Sequence, residues 1–168
     1  MKASPYLVFN GNCIEAIALY EKAFGTKATY CQYKDAPSSE HFPITPETAE
    51  FVMHGVLPIG KESIYLCDTT PDQPSAFGNG SFACVEFDNA EAVKAAFEIL
   101  KDGGKVFCEA QETFWNNCYA ELEDKFGLKW TLMIECTCTE ECATGNNPNC
   151  TCQGCRCKEN ASEGKPSC

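Results

Sequence analysis

An internal repeat is the sequence feature that most restricts how this chain can fold. Residues 6–9 form a short apolar, strand-like segment. The residues that follow share the spacing of one helix face: Cys13, Ala16, Ile17, Tyr20 and Phe24. The order returns at the strand-like residues 82–87, which precede a second helix face: Val93, Ala96, Phe97 and Leu100. Each half therefore predicts a strand followed by an amphipathic helix.

Both predicted helices have recognisable ends. Asn12 and Glu15 have the spacing of a capping box, and Gly25 follows the last apolar position of the first helix. In the second half, residues 88–91 provide the cap and residues 103–104, both glycine, provide the stop. These signals place each helix between a strand and a turn.

Three more strands are predicted after each helix. They are residues 28–31, 51–57 and 63–67 in the first half, and residues 106–108, 118–122 and 128–134 in the second. The predicted fold class is α+β, with two βαβββ modules at about residues 3–68 and 79–134 joined by a linker at residues 69–75. Residues 35–50 contain three prolines and predict a long loop able to form a lid or rim.

The composition changes sharply after residue 134. No Val, Ile, Leu, Met, Phe, Trp or Tyr occurs beyond Ile134, so this part has too little apolar surface to offset the entropy of ordering it. We therefore divide the chain into a domain at residues 1–134 and a tail at residues 135–168. Without a ligand or cross-links, we expect no regular secondary structure in the tail.

Eight of the 14 cysteines lie in this tail: Cys136, Cys138, Cys142, Cys150, Cys152, Cys155, Cys157 and Cys168. Their C-x-C and C-x-x-C spacings place thiolates on short loops, and Zn²⁺ and Cu⁺ both favour such soft ligands. The pattern resembles a metallothionein-like segment, with Cys168 as a spare ligand or redox thiol. Reversible thiol redox and structural disulfides remain alternatives, although a disulfide within C-x-C would be strained.

The charge and the terminal residues restrict partners and location. The net charge of -11 and the pI near 4.6 disfavour binding to nucleic acid or to anionic membranes. The first residues lack a signal-peptide pattern, and no apolar stretch is long enough to span a membrane. We expect a cytoplasmic protein with reduced thiols, in which most of the six cysteines before residue 134 act as small core hydrophobes.

Several segments together resemble one family. They are residues 5–13 with Tyr20, Phe24 and Gly25; His54 with Ile59, Gly60 and Asp68; residues 111–115; and residues 124–130. With the paired modules, they resemble the PhnB-like branch of the vicinal-oxygen-chelate superfamily, which includes glyoxalases, dioxygenases and the fosfomycin and bleomycin resistance proteins. The resemblance covers residues 3–134.

The resemblance implies a cupped mixed sheet around a ligand cavity, and a homodimer. Active superfamily members hold a divalent metal with His, Glu or Gln and use it as a Lewis acid. Here the expected ligand positions fall near Pro5 and at Thr131, which cannot serve as usual ligands, and only His54 remains. A cavity metal is therefore not expected unless Gln111 or Glu112 substitutes.

Five residues are candidates for the cavity. His54 is a candidate base or metal ligand, or else a satisfied interior histidine, and period-2 alternation predicts it on the face of Val52 and Val56. Glu112 is a candidate acid/base whose pKa an apolar cavity would raise, or else part of a structural turn. The remaining candidates line the cavity or pack: Gln111, Trp115 and Tyr119.

Three functions are consistent with these observations. The first is a protein that binds a small polar metabolite in its cavity and Zn²⁺ or Cu⁺ in its tail, for metal sequestration, delivery or sensing. The second is a lyase, isomerase or group-transfer enzyme of glyoxalase type that uses His54 and Glu112. The third is a resistance protein that sequesters a ligand without chemistry.

Overall fold

The computed structural model describes residues 3–37 and 44–135, in two compact units that divide between Asn79 and Gly80. Each unit contains one βαβββ module, so the predicted repeat is confirmed. The predicted cysteine-rich tail, apart from Glu135, lies outside the described residues, as does part of the predicted loop at residues 35–50. No helix among the described residues is long and apolar enough to cross a membrane.

The first module contains four strands, one α-helix and a short 3-10 helix at Tyr33–Asp35. In chain order the main elements are β1 (Tyr6–Phe9), α1 (Cys13–Phe24), β2 (Thr29–Gln32), β3 (Val52–Ile59) and β4 (Glu62–Asp68). The sheet order is β1-β4-β3-β2. Because β1 runs parallel to β4 and the other neighbours are antiparallel, the sheet is mixed.

The second module repeats this arrangement. Its elements are β5 (Ala83–Phe87), α2 (Ala90–Leu100), β6 (Lys105–Gln111), β7 (Tyr119–Glu123) and β8 (Lys129–Ile134). The sheet order is β5-β8-β7-β6, and β5 runs parallel to β8. Both modules are therefore α+β, which confirms the predicted fold class.

Each helix covers one face of its own sheet. The buried helix residues are those predicted from the apolar spacing, except that Phe24 is only half-buried: Cys13, Ala16, Ile17 and Tyr20 in α1, and Val93, Ala96, Phe97 and Leu100 in α2. They pack against alternate strand residues such as Leu7 and Leu66 in the first sheet and Trp130 and Leu132 in the second. We call the opposite face of each sheet its open face.

The cap of α1 differs from the prediction, whereas the cap of α2 agrees with it. The Asn12 side chain makes no capping hydrogen bond, so the predicted capping box is wrong. Asp68 instead accepts the N–H of Cys13 at 3.0 Å, from 55 residues away in the sequence. In α2, Asn89 accepts the N–H of Ala92 at 2.9 Å, as its position before the helix predicts.

A register shift in the first sheet changes the face on which His54 lies. Cys31 pairs with His54 and Gln32 with Val52, so β3 contains one extra residue, Met53, between these pairs. Adjacent residues of β2 point to opposite faces, and their partners must do the same. Val52 is fully buried on the helix side, whereas His54 is exposed on the open face. The predicted grouping of His54 with Val52 is therefore wrong.

Candidate functional site

His54 belongs to a cluster of three rings on the open face of the first sheet. The Tyr6 hydroxyl lies 3.0 Å from His54 Nδ1, and the ring centroids of Tyr6 and His54 are 5.9 Å apart. The Tyr65 ring lies 5.5 Å from His54 and 5.9 Å from Tyr6. The cluster combines an exposed imidazole with two phenol rings.

The strand register explains why these side chains meet. Tyr6 pairs with Tyr65 across β1 and β4, and Tyr65 pairs with Val56 across β4 and β3. Paired residues share a face, and His54 lies two positions before Val56 on the same strand. Three neighbouring strands therefore each contribute one ring to the cluster.

The Tyr6 phenol remains protonated over a wide pH range. Burial of the hydroxyl, followed by the neighbouring Cys67 thiol, raises the pKa of Tyr6 to about 12, although the residue as a whole is 49% exposed. The hydroxyl also bonds the Cys67 side chain. A protonated phenol can donate to His54 Nδ1, and this hydrogen bond would select the neutral tautomer that carries its proton on Nε2.

A second polar cluster lies on the open face of the second sheet. The Tyr119 hydroxyl donates to Glu121 Oε1 at 2.5 Å, and Glu121 lies directly opposite Thr131. Burial and the hydrogen bond to Glu121 raise the pKa of Tyr119. Sequence reasoning identified Tyr119 but missed Glu121. The alternation of β7, in which buried Ala120 separates these two residues, was the available signal.

The other predicted cavity residues of this module lie near Tyr119. Gln111 pairs with Tyr119 across β6 and β7, and its Nε2 donates to Cys108 Sγ at 3.2 Å. The Trp115 ring lies 5.3 Å from the Tyr119 ring at an interplanar angle of 70°. The structure therefore brings Gln111, Trp115 and Tyr119 together at one end of the sheet.

Glu112 differs from these residues in its surroundings. It follows the last residue of β6 and is exposed. The apolar enclosure that the acid/base hypothesis assumed for Glu112 is therefore not found. Glu121, in contrast, lies on the open face, together with Glu86 and Glu123.

Two further residues of the family-like segments have structural roles. Asp68 is 2% exposed and accepts the N–H groups of Gly11 at 2.7 Å, Cys13 at 3.0 Å and Val52 at 2.9 Å. Asp124 is 3% exposed and accepts the indole N–H of Trp130 at 2.8 Å. These carboxylates fix loops and strand ends, and Trp130 packs in the core.

The six cysteines before residue 134 do not all lie in the core. Cys13 and Cys118 are buried, as predicted, whereas Cys84 is exposed and the remaining three are half-buried: Cys31, Cys67 and Cys108. Cys84 is exposed because it lies on the open face, opposite Thr131. Burial raises the pKa of the Cys13, Cys67, Cys84 and Cys118 thiols, which makes each a weaker nucleophile at neutral pH.

The residues present do not fit the divalent metal that the superfamily uses in its cavity. Pro5 offers no side-chain donor, and the Thr131 hydroxyl bonds the Tyr119 side chain. Within residues 3–37 and 44–135, no group of three or more His, Cys, Asp or Glu side chains is arranged to hold a metal ion. The eight candidate tail cysteines lie outside the described residues.

The chain is similar in sequence to proteins from two bacteria. It is 31% identical over 143 residues to protein YjdN of Escherichia coli, and the match covers 80% of this chain and 95% of YjdN. The crystal structure of PA1353 from Pseudomonas aeruginosa is 26% identical, with a TM-score of 0.69, and the match covers 80% of this chain and 98% of that one. No protein-family model matches the chain.

More distant solved structures share the fold. One is a PhnB protein from Bacillus cereus, described as a putative 3-demethylubiquinone-9 3-methyltransferase, with a TM-score of 0.64, 18% identity and coverage of 80% of this chain and 100% of that one. Another is the fosfomycin resistance protein FosX from Listeria monocytogenes, with a TM-score of 0.58, 12% identity and coverage of 82% and 93%. The FosX structure is a complex with Mn(II) and 1S,2S-dihydroxypropylphosphonic acid.

Proposed function

Since this chain belongs to the PhnB-like branch of the vicinal-oxygen-chelate superfamily, we propose that it binds a small polar metabolite at the open face of its first sheet and soft metal ions in its cysteine-rich tail. The observation that carries the first part is the 3.0 Å contact between the Tyr6 hydroxyl and His54 Nδ1 on an exposed strand. Supporting evidence for the second part is the spacing of the tail cysteines.

The ring cluster has the properties of a small polar binding surface. When Tyr6 holds Nδ1, the other imidazole nitrogen of His54 is oriented for a ligand. The phenol rings of Tyr6 and Tyr65 supply apolar area beside it, so a compact ligand can contact rings and form a hydrogen bond at once.

Ligand-observed NMR with a fixed library of small hydroxy-, amino- and phosphonocarboxylic acids tests the metabolite proposal. We expect at least one compound to bind the full-length protein and to lose binding in His54→Ala. The matched control is Tyr30→Phe, since Tyr30 is an exposed residue that pairs with Gly55 on the opposite face. Absence of any binder, or binding that His54→Ala leaves unchanged, contradicts the proposal.

A glyoxalase-type lyase, isomerase or transferase is the second candidate function. The exposed His54 imidazole, oriented by Tyr6, favours it because a proton-transferring group must be both held and accessible. In this candidate Glu112 is the second acid/base group. Once a substrate is known, His54→Ala with Glu112→Gln should abolish turnover, and retained activity would exclude the assignment. A sequestering resistance protein would instead return its ligand unchanged after long incubation.

The metal proposal concerns the eight tail cysteines. Thiolates at C-x-C and C-x-x-C spacing can hold Zn²⁺ or Cu⁺ in separate four-coordinate sites or in a bridged cluster. Elemental analysis of protein purified under reducing conditions should find several equivalents, which Cys-to-Ser changes in the tail should remove. Less than one equivalent would refute the metal proposal.

We also propose that the protein is cytoplasmic and forms a homodimer. Cell fractionation would test the location, and analytical sedimentation would test the oligomeric state.

A further inference from the structure

The open face of the second sheet carries a polar cluster that the proposed function does not use. Glu121 lies opposite Thr131 and accepts a hydrogen bond from the Tyr119 hydroxyl at 2.5 Å. The Tyr119 side chain also forms a hydrogen bond with the Thr131 side chain. All three side chains are half-buried. The Glu121 carboxylate is therefore fixed in position by its neighbours and still accessible from one side.

The charge at this end of the face is negative. The raised pKa of Tyr119 keeps its phenol protonated, so its hydroxyl can donate to the Glu121 carboxylate. Among the described residues, no lysine or arginine forms an ion pair with Glu121. Glu86 is on the same face, because it and Tyr119 both pair with Met133. Lys105 and Lys129 lie farther along this face, beyond Glu121, where both pair with Glu123. At the Tyr119 end, where Glu86 and Glu121 lie, a cation is therefore favoured over an anion.

Aromatic rings complete the cluster. Trp115 meets the Tyr119 ring edge-on at 5.3 Å, and Phe114 meets Trp115 in the same way at 4.6 Å. Phe114 is 59% exposed. Aromatic faces beside a carboxylate are the usual surroundings of a bound ammonium group, which gains both a cation–π contact and a charge-assisted hydrogen bond.

We propose that Glu121, with Tyr119 and Trp115, binds the ammonium group of a small primary amine. The assignment goes beyond the proposed function, which places its ligand on the open face of the first sheet, and it names the chemical class of a ligand for the second. Glu121 accepts hydrogen bonds from the ammonium group, Tyr119 orients the carboxylate, and Trp115 lies against the alkyl chain or the cation.

Three two-carbon probes of similar size test the proposal on the full-length protein. They are ethanolamine, which is a cation at neutral pH, ethylene glycol, which is neutral, and glycolate, which is an anion. Saturation-transfer NMR should detect binding of ethanolamine in clear preference to the other two. Glu121→Gln keeps the size of the side chain, and we expect it to weaken ethanolamine binding about tenfold or more, the loss typical of a hydrogen bond to a charged group.

Glu109→Gln is the matched control, because it makes the same change at an exposed position of β6 in the same module. It should leave the ethanolamine affinity unchanged. Tyr119→Phe keeps the carboxylate but removes its orienting hydroxyl, and should weaken binding by less than Glu121→Gln. This variant tests the site even if Glu121→Gln folds poorly.

Preference for glycolate, no binding of ethanolamine, or equal losses in Glu121→Gln and Glu109→Gln would each overturn the assignment. Failure of the proposed function would look different. If library ligands still depend on His54 while ethanolamine does not bind, the amine assignment fails alone. If ethanolamine binding depends on Glu121 while no library ligand depends on His54, the first-module proposal fails alone.

Discussion

At the scale of single residues, Tyr6 links the His54 cluster to stability at alkaline pH. Its pKa is about 12 in the folded protein and near 10 in an unfolded chain. As the pH rises between these values, the unfolded state loses the proton first, so this residue lowers the free energy of unfolding. Urea unfolding at about pH 9 and about pH 11.5 should therefore show a steeper loss of stability in the natural protein than in Tyr6→Phe.

The comparison of slopes matters more than either absolute stability, because other groups also titrate in this range. Groups that do not contact Tyr6 contribute equally in both proteins, so their contributions cancel in the difference, and the contribution of Cys67, which bonds the Tyr6 hydroxyl, belongs to the same cluster. Identical slopes for the natural protein and Tyr6→Phe would contradict the role assigned to the hydroxyl.

Tyr119 provides a second prediction at this scale. Burial raises its pKa, and the hydrogen bond and charge of Glu121 raise it further. Glu121→Gln removes the charge but not the burial, so the pKa of Tyr119 should fall and yet stay above its ordinary value. Alkaline titration followed by tyrosine NMR signals would measure this shift. An unchanged titration would mean that the two side chains do not interact in solution.

At the scale of secondary-structure elements, Asp68 joins α1 to the sheet. Its carboxylate accepts N–H groups from the loop before the helix, from the first helical residue and from β3, at 2.7, 3.0 and 2.9 Å. Asp68→Ala removes the acceptor of all three N–H groups. We therefore expect a loss of about 3 kcal/mol or more in the free energy of unfolding. Asp72→Ala, at an exposed carboxylate in the linker, is the control for chemical denaturation. Equal stability of the two variants would contradict this role.

Asp68 also shows where prediction from sequence ends. The helix faces were predictable because apolar residues three and four apart must lie together on a helix. The true cap of α1 comes from a strand 55 residues away, and no local pattern indicates it. In β3, the extra residue Met53 interrupts the alternation of side chains. Val52 and His54 therefore lie on opposite faces of the sheet, although a spacing of two residues predicts the same face. Glu121 was missed for a different reason: the alternation of β7 indicated it, but Glu112 was chosen as the acid/base candidate instead. Glu112 is exposed and lacks the apolar enclosure expected around it.

At the scale of the whole molecule, the repeat preserves the helix side of each sheet and varies the open face. Tyr65 pairs with Tyr6 and Val56 in the first module, whereas Thr131 pairs with Cys84 and Glu121 at the corresponding place in the second. The helix side must fill a core in both modules, so its residues remain apolar. The open faces are free of that requirement, and this is why one presents an imidazole and the other a carboxylate.

The last prediction separates the stability of the fold from the metal binding proposed for the tail. The N–H of Glu135 donates to the carbonyl of Phe87 at 2.8 Å, so the pairing of β8 with β5 extends one residue beyond Ile134. A chain that ends at Glu135 keeps this hydrogen bond and the buried core residues of both modules. We expect it to unfold within a few degrees of the full-length protein, and to lack the Zn²⁺ or Cu⁺ that we propose the full chain binds.

The matched control is the full-length chain with all eight tail cysteines changed to serine, which keeps the length and removes the thiolates. It should match the truncated chain in metal content. Metal retained after truncation would place the ligands among the first 135 residues, where no suitable group of three occurs among the described side chains. A large fall in melting temperature on truncation, but not on cysteine replacement, would show that the tail stabilises the fold by contacts other than metal binding, because the serine variant would keep those contacts without the metal.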